Sequence, residues 1–180
     1  MQPISRSTFL RFVALAGIGA ALPRTSLLAG STDSLPPTVT GFAPLELSLE
    51  RWRSLLPRDR YDVLFEEATE RPFSSPLDAE KRNGTFVCAA CFLPLFDASA
   101  KFDSGTGWPS FFQPLSDKVV GTRRDFKLVW PRTEYHCARC GGHQGHVFND
   151  GPPPTGQRWC NNGLALQFVE RAKPLPPLRT

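Results

Sequence analysis

Between residues 48 and 69 apolar side chains recur at helical spacing. Leu49, Trp52, Leu55 and Leu56 fall on one face, Pro57 interrupts, and Tyr61, Leu64, Phe65 and Ala68 resume the repeat. The pattern predicts two short helices, the second opened by Pro57 as its first residue, with Pro72 and Pro76 closing the helical region. From Gly84 onward the period drops to two and the apolar runs shorten. Strands are predicted over 85–87, 127–130, 133–136, 146–149 and 164–169, the last with Leu164, Leu166 and Phe168 on one side. Asn83-Gly84, Asp103-Ser104-Gly105, Gly141-Gly142 and the proline-rich run 150–154 read as turns between them. The expected fold is mainly antiparallel β with helices at its start.

The ends of the chain follow other patterns. An eleven-residue apolar run, FVALAGIGAAL over 12–22, follows Arg6 and Arg11 and stops at Pro23, with small residues near Ala29-Gly30. This is the pattern of an export signal over 1–30, too short an apolar run to span a bilayer. Ser7 stands where a twin-arginine signal would carry its second arginine. A polar, Pro-rich linker is expected over 31–44, one domain over 45–170, and a loose C-terminal tail over 171–180. The expected location is outside the cytoplasm, in a bacterial periplasm.

Composition supports one folded domain and removes one class of function. Of 180 residues 41% are hydrophobic and 11% aromatic, which suits a packed core. The net charge of +4 is concentrated at the start. Arg6, Arg11 and Arg24 lie in the first thirty residues, which hold no acid, and the other 18 basic residues face 17 acidic ones. The body of the chain therefore has no basic excess for a nucleic acid.

The five cysteines carry the chemistry. CAAC places Cys88 beside Cys91, and CARC places Cys137 beside Cys140, with Gly141-Gly142 after the second pair. Two such pairs can close a tetrahedral thiolate shell around zinc, which would be structural because no coordination position stays open. Disulfides in an exported protein, or a redox-active C-x-x-C, are the other readings of the same spacing. Cys160 is left over. Arg158, two residues earlier, would share its strand face and favour a thiolate. His143 and His146 sit in a glycine-flanked segment where rings can be exposed. An inert Cys160 in a zinc-stapled, protein-binding β module is the alternative to an enzyme.

KFDSGTGWPSF, ERPFS and RTEYHCARCGGHQGHVFNDGPPPTGQRWCNNGLALQF together closely resemble the type B methionine sulfoxide reductases, over about 49–168. The resemblance implies two small antiparallel sheets of the Mss4-like, β-tent type, with N-terminal helices and a pair of hairpins stapled by structural zinc on Cys88, Cys91, Cys137 and Cys140. It implies reduction of methionine (R)-sulfoxide, mostly in oxidised proteins, by a monomer that serves protein repair under oxidative stress. Cys160 would be the nucleophile and pass through a sulfenic acid. Trp108 would hold the methyl end of the substrate, with Phe148 and Arg158 also in the binding site. His143, His146 and Asn162 would handle the sulfoxide oxygen. The chain departs from the family pattern at Trp159, Asn161 and above all Thr106, where many members carry a second, resolving cysteine. With that thiol missing, a thioredoxin-like protein or a small thiol is expected to reduce Cys160.

Overall fold

The computed structural model describes residues 35–126 and 131–180. The export segment, the first residues of the linker and the strand expected over 127–130 lie outside the described residues.

The Ser48 hydroxyl accepts the Arg51 N–H at 3.2 Å and so starts α1 (Leu49–Leu55) by satisfying one of its open donors. Trp52 and Leu56 are buried behind it, whereas Leu49 is 55% exposed, so the apolar face is narrower than its spacing predicts. Pro57 caps α2 (Arg58–Phe65) from just outside instead of serving as its first residue, and Ala68 lies beyond its end. α2 buries Tyr61, Val63 and Leu64.

Nine strands follow among the described residues: β1 (Gly84–Cys88), β2 (Pro94–Asp97), β3 (Lys101–Phe102), β4 (Ser110–Phe111), β5 (Val120–Asp125), β6 (Arg132–Cys137), β7 (His143–Phe148), β8 (Arg158–Asn161) and β9 (Leu166–Glu170). They form two antiparallel sheets, β2-β1-β9 and β3-β4-β8-β7-β6-β5. The architecture is the mainly β one expected, with five strands that the period-two pattern does not show. β3 and β4 are two residues long, β2 opens on a proline, β5 has charged residues along its outer stretch, and β8 reads RWCN. None carries the run of β-branched residues that marks a strand locally.

The core is aromatic where the sheets meet. Phe96 and Phe111 stack at 4.2 Å, Phe86 meets Phe111 edge-on at 4.9 Å, and Tyr135 meets Trp159 edge-on at 5.0 Å. Trp159 is therefore accommodated as one more ring of this cluster. Asn161, also buried, donates from Nδ2 to the Tyr135 hydroxyl at 2.7 Å. Leu64 of α2 lies against Gly142, where a Cβ would stand 3.0 Å from Leu64 Cδ2, so the helix rests on the β6–β7 turn.

Both flanking segments are held more firmly than their composition suggests. Val39 and Phe42 of the expected linker pack on the core. The tail is not loose. Arg171 pairs with Asp97, and Arg179 donates to the Ala90 and Cys91 carbonyls while its guanidinium covers the Phe92 ring at 4.7 Å. Arg139 reaches from the second cysteine pair to the Arg179 carbonyl at 2.7 Å. Pro-rich segments lack internal hydrogen bonds, so their docking depends on distant carbonyls and is invisible locally.

Candidate active site and metal centre

The two cysteine pairs fold into matching turns. After the first, the Phe92 N–H returns to the Cys88 carbonyl at 2.9 Å. After the second, the Gly141 N–H returns to the Cys137 carbonyl, also at 2.9 Å. Phe92 (φ 65°) and Gly141 (φ 71°) occupy the same left-handed position, which glycine fills without strain and phenylalanine does not. All four Sγ atoms lie within 4.8 Å of one another, with Cys88–Cys140 at 3.7 Å and Cys91–Cys137 at 3.5 Å. Four sulfurs about 2.3 Å from one zinc ion stand roughly 3.8 Å apart, whereas a disulfide needs about 2.05 Å. No two of these cysteines are bonded. The donor set is a structural zinc site of four thiolates, and it staples the β1–β2 hairpin of one sheet to the β6–β7 hairpin of the other.

The same β6–β7 hairpin carries the histidines. Across the six-stranded sheet Arg123 (β5), Glu134 (β6), His146 (β7), Cys160 (β8) and Ser110 (β4) pair in succession. Paired residues share a face, so this row projects away from the aromatic core. Gly145 permits the approach of β7 to β8, because any Cβ there would collide with the Cys160 carbonyl.

A cavity of about 110 Å³ opens at this row, lined by Thr69, Trp108, Arg132, Gly145, His146, Phe148, Cys160, Asn161 and Asn162. A larger cleft, about 470 Å³, lies between Arg60, Leu77 and Phe168 but is lined by no cysteine or histidine. Of the expected site residues, Cys160, Trp108, His146, Phe148 and Asn162 meet at the smaller cavity. His143 and Arg158 do not line it.

Cys160 is partly buried. Burial raises its thiol above the ordinary value, and this outweighs the opposing Arg158 charge and the hydrogen bonds from Thr106, Arg158 and Ser110. The arginine acts in the expected direction without winning, so the resting side chain is a thiol. Arg158 is itself fixed, forked onto Asp150 at 2.8 and 2.9 Å and stacked over Phe148 at 4.3 Å.

His146 donates from Nε2 to Asp125 Oδ2 at 2.8 Å, and Arg132 donates to the same oxygen at 2.7 Å. Burial lowers the His146 pKa; the Asp125 bond opposes this, and the Arg132 charge adds to the lowering. The neutral ring is therefore its resting form, able to take a proton. His143 is 3% exposed, contrary to the expectation of an exposed ring, because it is turned inward onto Glu134 Oε1 at 2.7 Å. It stands behind His146, ring centres 5.5 Å apart. Burial pushes Glu134 up, but bonds from His136 and His143 and the charges of His143 and Arg123 bring it down to about 2.

Asn162 is pinned at both ends of its amide: Oδ1 accepts the Glu70 N–H and Nδ2 donates to the Gln144 carbonyl, each at 3.1 Å. Trp108 Nε1 donates to the Glu70 carbonyl at 3.2 Å. The Glu70 carboxylate accepts the N–H groups of Gly163 and Leu164 at 2.6 and 2.9 Å. One buried glutamate thus fixes the indole wall and the loop after Cys160.

Arg132, Glu134, Glu70 and Asp150 lie inside the stretches that resemble the family and Asp125 outside them, but no spacing assigns any of the five a role. Strand parity offers a partial signal for Glu134, since it shares its face of β6 with His136, which also bonds it. Glu70 lies in ERPFS, a stretch whose role its spacing does not reveal.

Comparison with known proteins gives a consistent result. The SelR domain family matches residues 56–170. The chain is 50% identical over 127 residues to the peptide methionine sulfoxide reductase MsrB of Pseudomonas fluorescens, covering 71% of this chain and 98% of that protein. It is 49% identical over 127 residues to the protein of the same name from Pseudomonas putida, covering 71% and 96%. Against that of Pseudomonas syringae pv. syringae it is 48% identical over 128 residues, covering 71% and 98%.

Proposed function

The chain belongs to the SelR family of type B methionine sulfoxide reductases, and from that premise we propose that it reduces the (R)-epimer of methionine sulfoxide, mainly in proteins, through a Cys160 sulfenic acid cleared by an external thiol. Reduction of methionine sulfoxide is the family's chemistry. The observation that carries the finer reading is the cavity in which an unpaired thiol, an indole and a carboxylate-backed imidazole converge.

The resting thiol and neutral ring suit a proton shuttle. His146 takes the Cys160 proton, and the sulfur attacks the sulfoxide sulfur. That attack forms a sulfur–sulfur bond while the imidazolium returns the proton to the sulfoxide oxygen, and the hydroxyl then passes from the methionine sulfur to the Cys160 sulfur as the sulfur–sulfur bond breaks. Methionine leaves, and Cys160 becomes a sulfenic acid, with atoms and charge balanced. Trp108 and Phe148 flank the methyl end of the substrate. Asn162, Arg158 and His143 act as positioning residues: Asn162 holds the loop after the nucleophile, Arg158 biases the sulfur electrostatically, and His143 backs His146. Zinc, held by Cys88, Cys91, Cys137 and Cys140, supplies structure alone. The other four cysteines being zinc ligands, a thioredoxin-like protein or a small thiol reduces the sulfenic acid.

Stereochemistry tests the substrate reading. With dithiothreitol and a racemic methionine sulfoxide peptide, consumption stops at half and the residue is the (S)-epimer. Complete consumption, or loss of the (S)-epimer first, overturns it.

For the cell, we propose export to a periplasm directed by residues 1–30, followed by action there as a monomer. This rests on the Arg6 and Arg11 start and the apolar run after it. The product recovered outside the cytoplasm begins past Ala29, and a cytoplasmic protein still starting at Met1 sinks the proposal.

A further inference from the structure

We propose that Arg139 and Arg179 clasp the zinc site from outside, supplying counter-charge to its thiolates and tying its two turns together, so that the metal is released slowly. The inference goes beyond the reductase reading. It rests on the four-thiolate site and holds whatever Cys160 does.

The clasp is a closed ring of hydrogen bonds. The Cys91 carbonyl accepts Arg139 Nη1 at 3.4 Å and the Arg179 N–H at 3.1 Å, and the Arg179 carbonyl accepts Arg139 Nη2 at 2.7 Å. Arg139 stands between the ligands Cys137 and Cys140, so the ring joins both metal-binding turns to the tail. Arg179 Nε adds a bond to the Ala90 carbonyl at 2.6 Å, and its guanidinium lies over the Phe92 ring at 4.7 Å. Phe92 therefore has a use in its left-handed position that a glycine could not serve: its ring is the floor under that cation. Arg179 lies past residue 170, where the family match ends, so the clasp is not part of the matched domain.

Charge gives the second argument. Arg139 is only 9% exposed, and its Nε meets no acceptor among the described residues. Neither Arg139 nor Arg179 pairs with a carboxylate among them. Burying a guanidinium without an anion is costly. Four thiolates around one divalent ion leave a net dianion, and this is the anion that the fold provides beside the two arginines. The metal leaves only when a turn opens and a thiolate lets go, a local unfolding step. The ring must break before the turns can part.

The test is transfer of zinc from the loaded full chain to excess pyridylazoresorcinol, a coloured chelator, at neutral pH. Arg139→Met and Arg179→Met keep an apolar stem and remove the charge, and each releases zinc roughly tenfold faster than wild type. The double variant is at most about twofold faster than the faster single one, because both arginines act through one ring. Arg171→Met loosens the tail at Asp97, away from the metal-binding turns, and keeps the wild-type rate. Transfer within about twofold of wild type in either single variant overturns the proposal. So do single effects that multiply in full, or an Arg171→Met protein as fast as Arg179→Met. If Arg139→Met does not fold, Arg179→Met and Arg171→Met decide between them. The zinc site itself fails separately, through a wild-type chain that holds no zinc, and the reductase reading through a Cys160→Ser protein that still turns over.

Discussion

Cys160→Ser leaves no measurable reduction of methionine sulfoxide, a loss of at least about a thousandfold in kcat. The hydroxyl is a far weaker nucleophile at neutral pH than sulfur, and no stable oxygen-bearing intermediate can form on it. Serine is close to cysteine in size, and the zinc cluster does not include position 160. Folding and zinc content are therefore unchanged, which separates lost chemistry from lost structure. The complementary measurement uses the intact enzyme. After one turnover without added thiol, mass spectrometry finds one oxygen on Cys160, trapped by a sulfenic acid reagent, and the four knuckle cysteines unmodified. Turnover of the serine variant within tenfold of wild type rejects the nucleophile. A disulfide joining Cys160 to a knuckle cysteine rejects the external reductant and weakens the zinc assignment with it.

What can be read from the sequence divides by the range of the interaction. The cysteine pairs are legible because each places two ligands on one turn within four residues, so spacing alone states the geometry. The helices at 49–65 and the turn at Gly141 are legible for the same reason. The Cys160 site is legible in its membership, through motifs that match a family, but not in its wiring. Glu134 and Asp125 reach His143 and His146 only because β6 and β5 stand in a particular register, including an irregularity between Tyr135 and His136. No local pattern encodes that register. Arg158 shows the same limit. Its charge acts on Cys160 as its position implies, yet burial of the sulfur decides the direction, and burial is a property of the assembled sheet. The glycine neighbours of His143 predict an exposed ring; a buried carboxylate two strands' width from the nucleophile turns it inward.

Removing one zinc ligand should unfold the site from behind. Cys137→Ser leaves three sulfurs for an ion that structural sites bind with four, and the chain then carries well under one zinc per molecule, against one in the wild type. Structural zinc is worth about 10–16 kcal/mol in small zinc-folded peptides, while a whole domain is stable by only about 5–15 kcal/mol. This domain has an aromatic core of its own, so a fraction of the metal term suffices: losing about 5 kcal/mol lowers the melting temperature by roughly 10–20 °C at this size. The damage is not confined to the staple. Cys137 ends β6, and the turn it anchors returns the chain as β7, which carries His146 to Cys160. Gln144 ties the two regions directly. Its Nε2 lies 3.5 Å from Cys88 Sγ, and its carbonyl accepts both the N–H and the Nδ2 of Asn162, beside the cavity. Reductase activity should therefore fall in step with zinc content during titration with a chelator, although the metal touches no reacting atom. A Cys137→Ser protein that melts within about 2 °C of wild type and keeps its turnover would show that the β6–β7 hairpin holds the catalytic row without its staple.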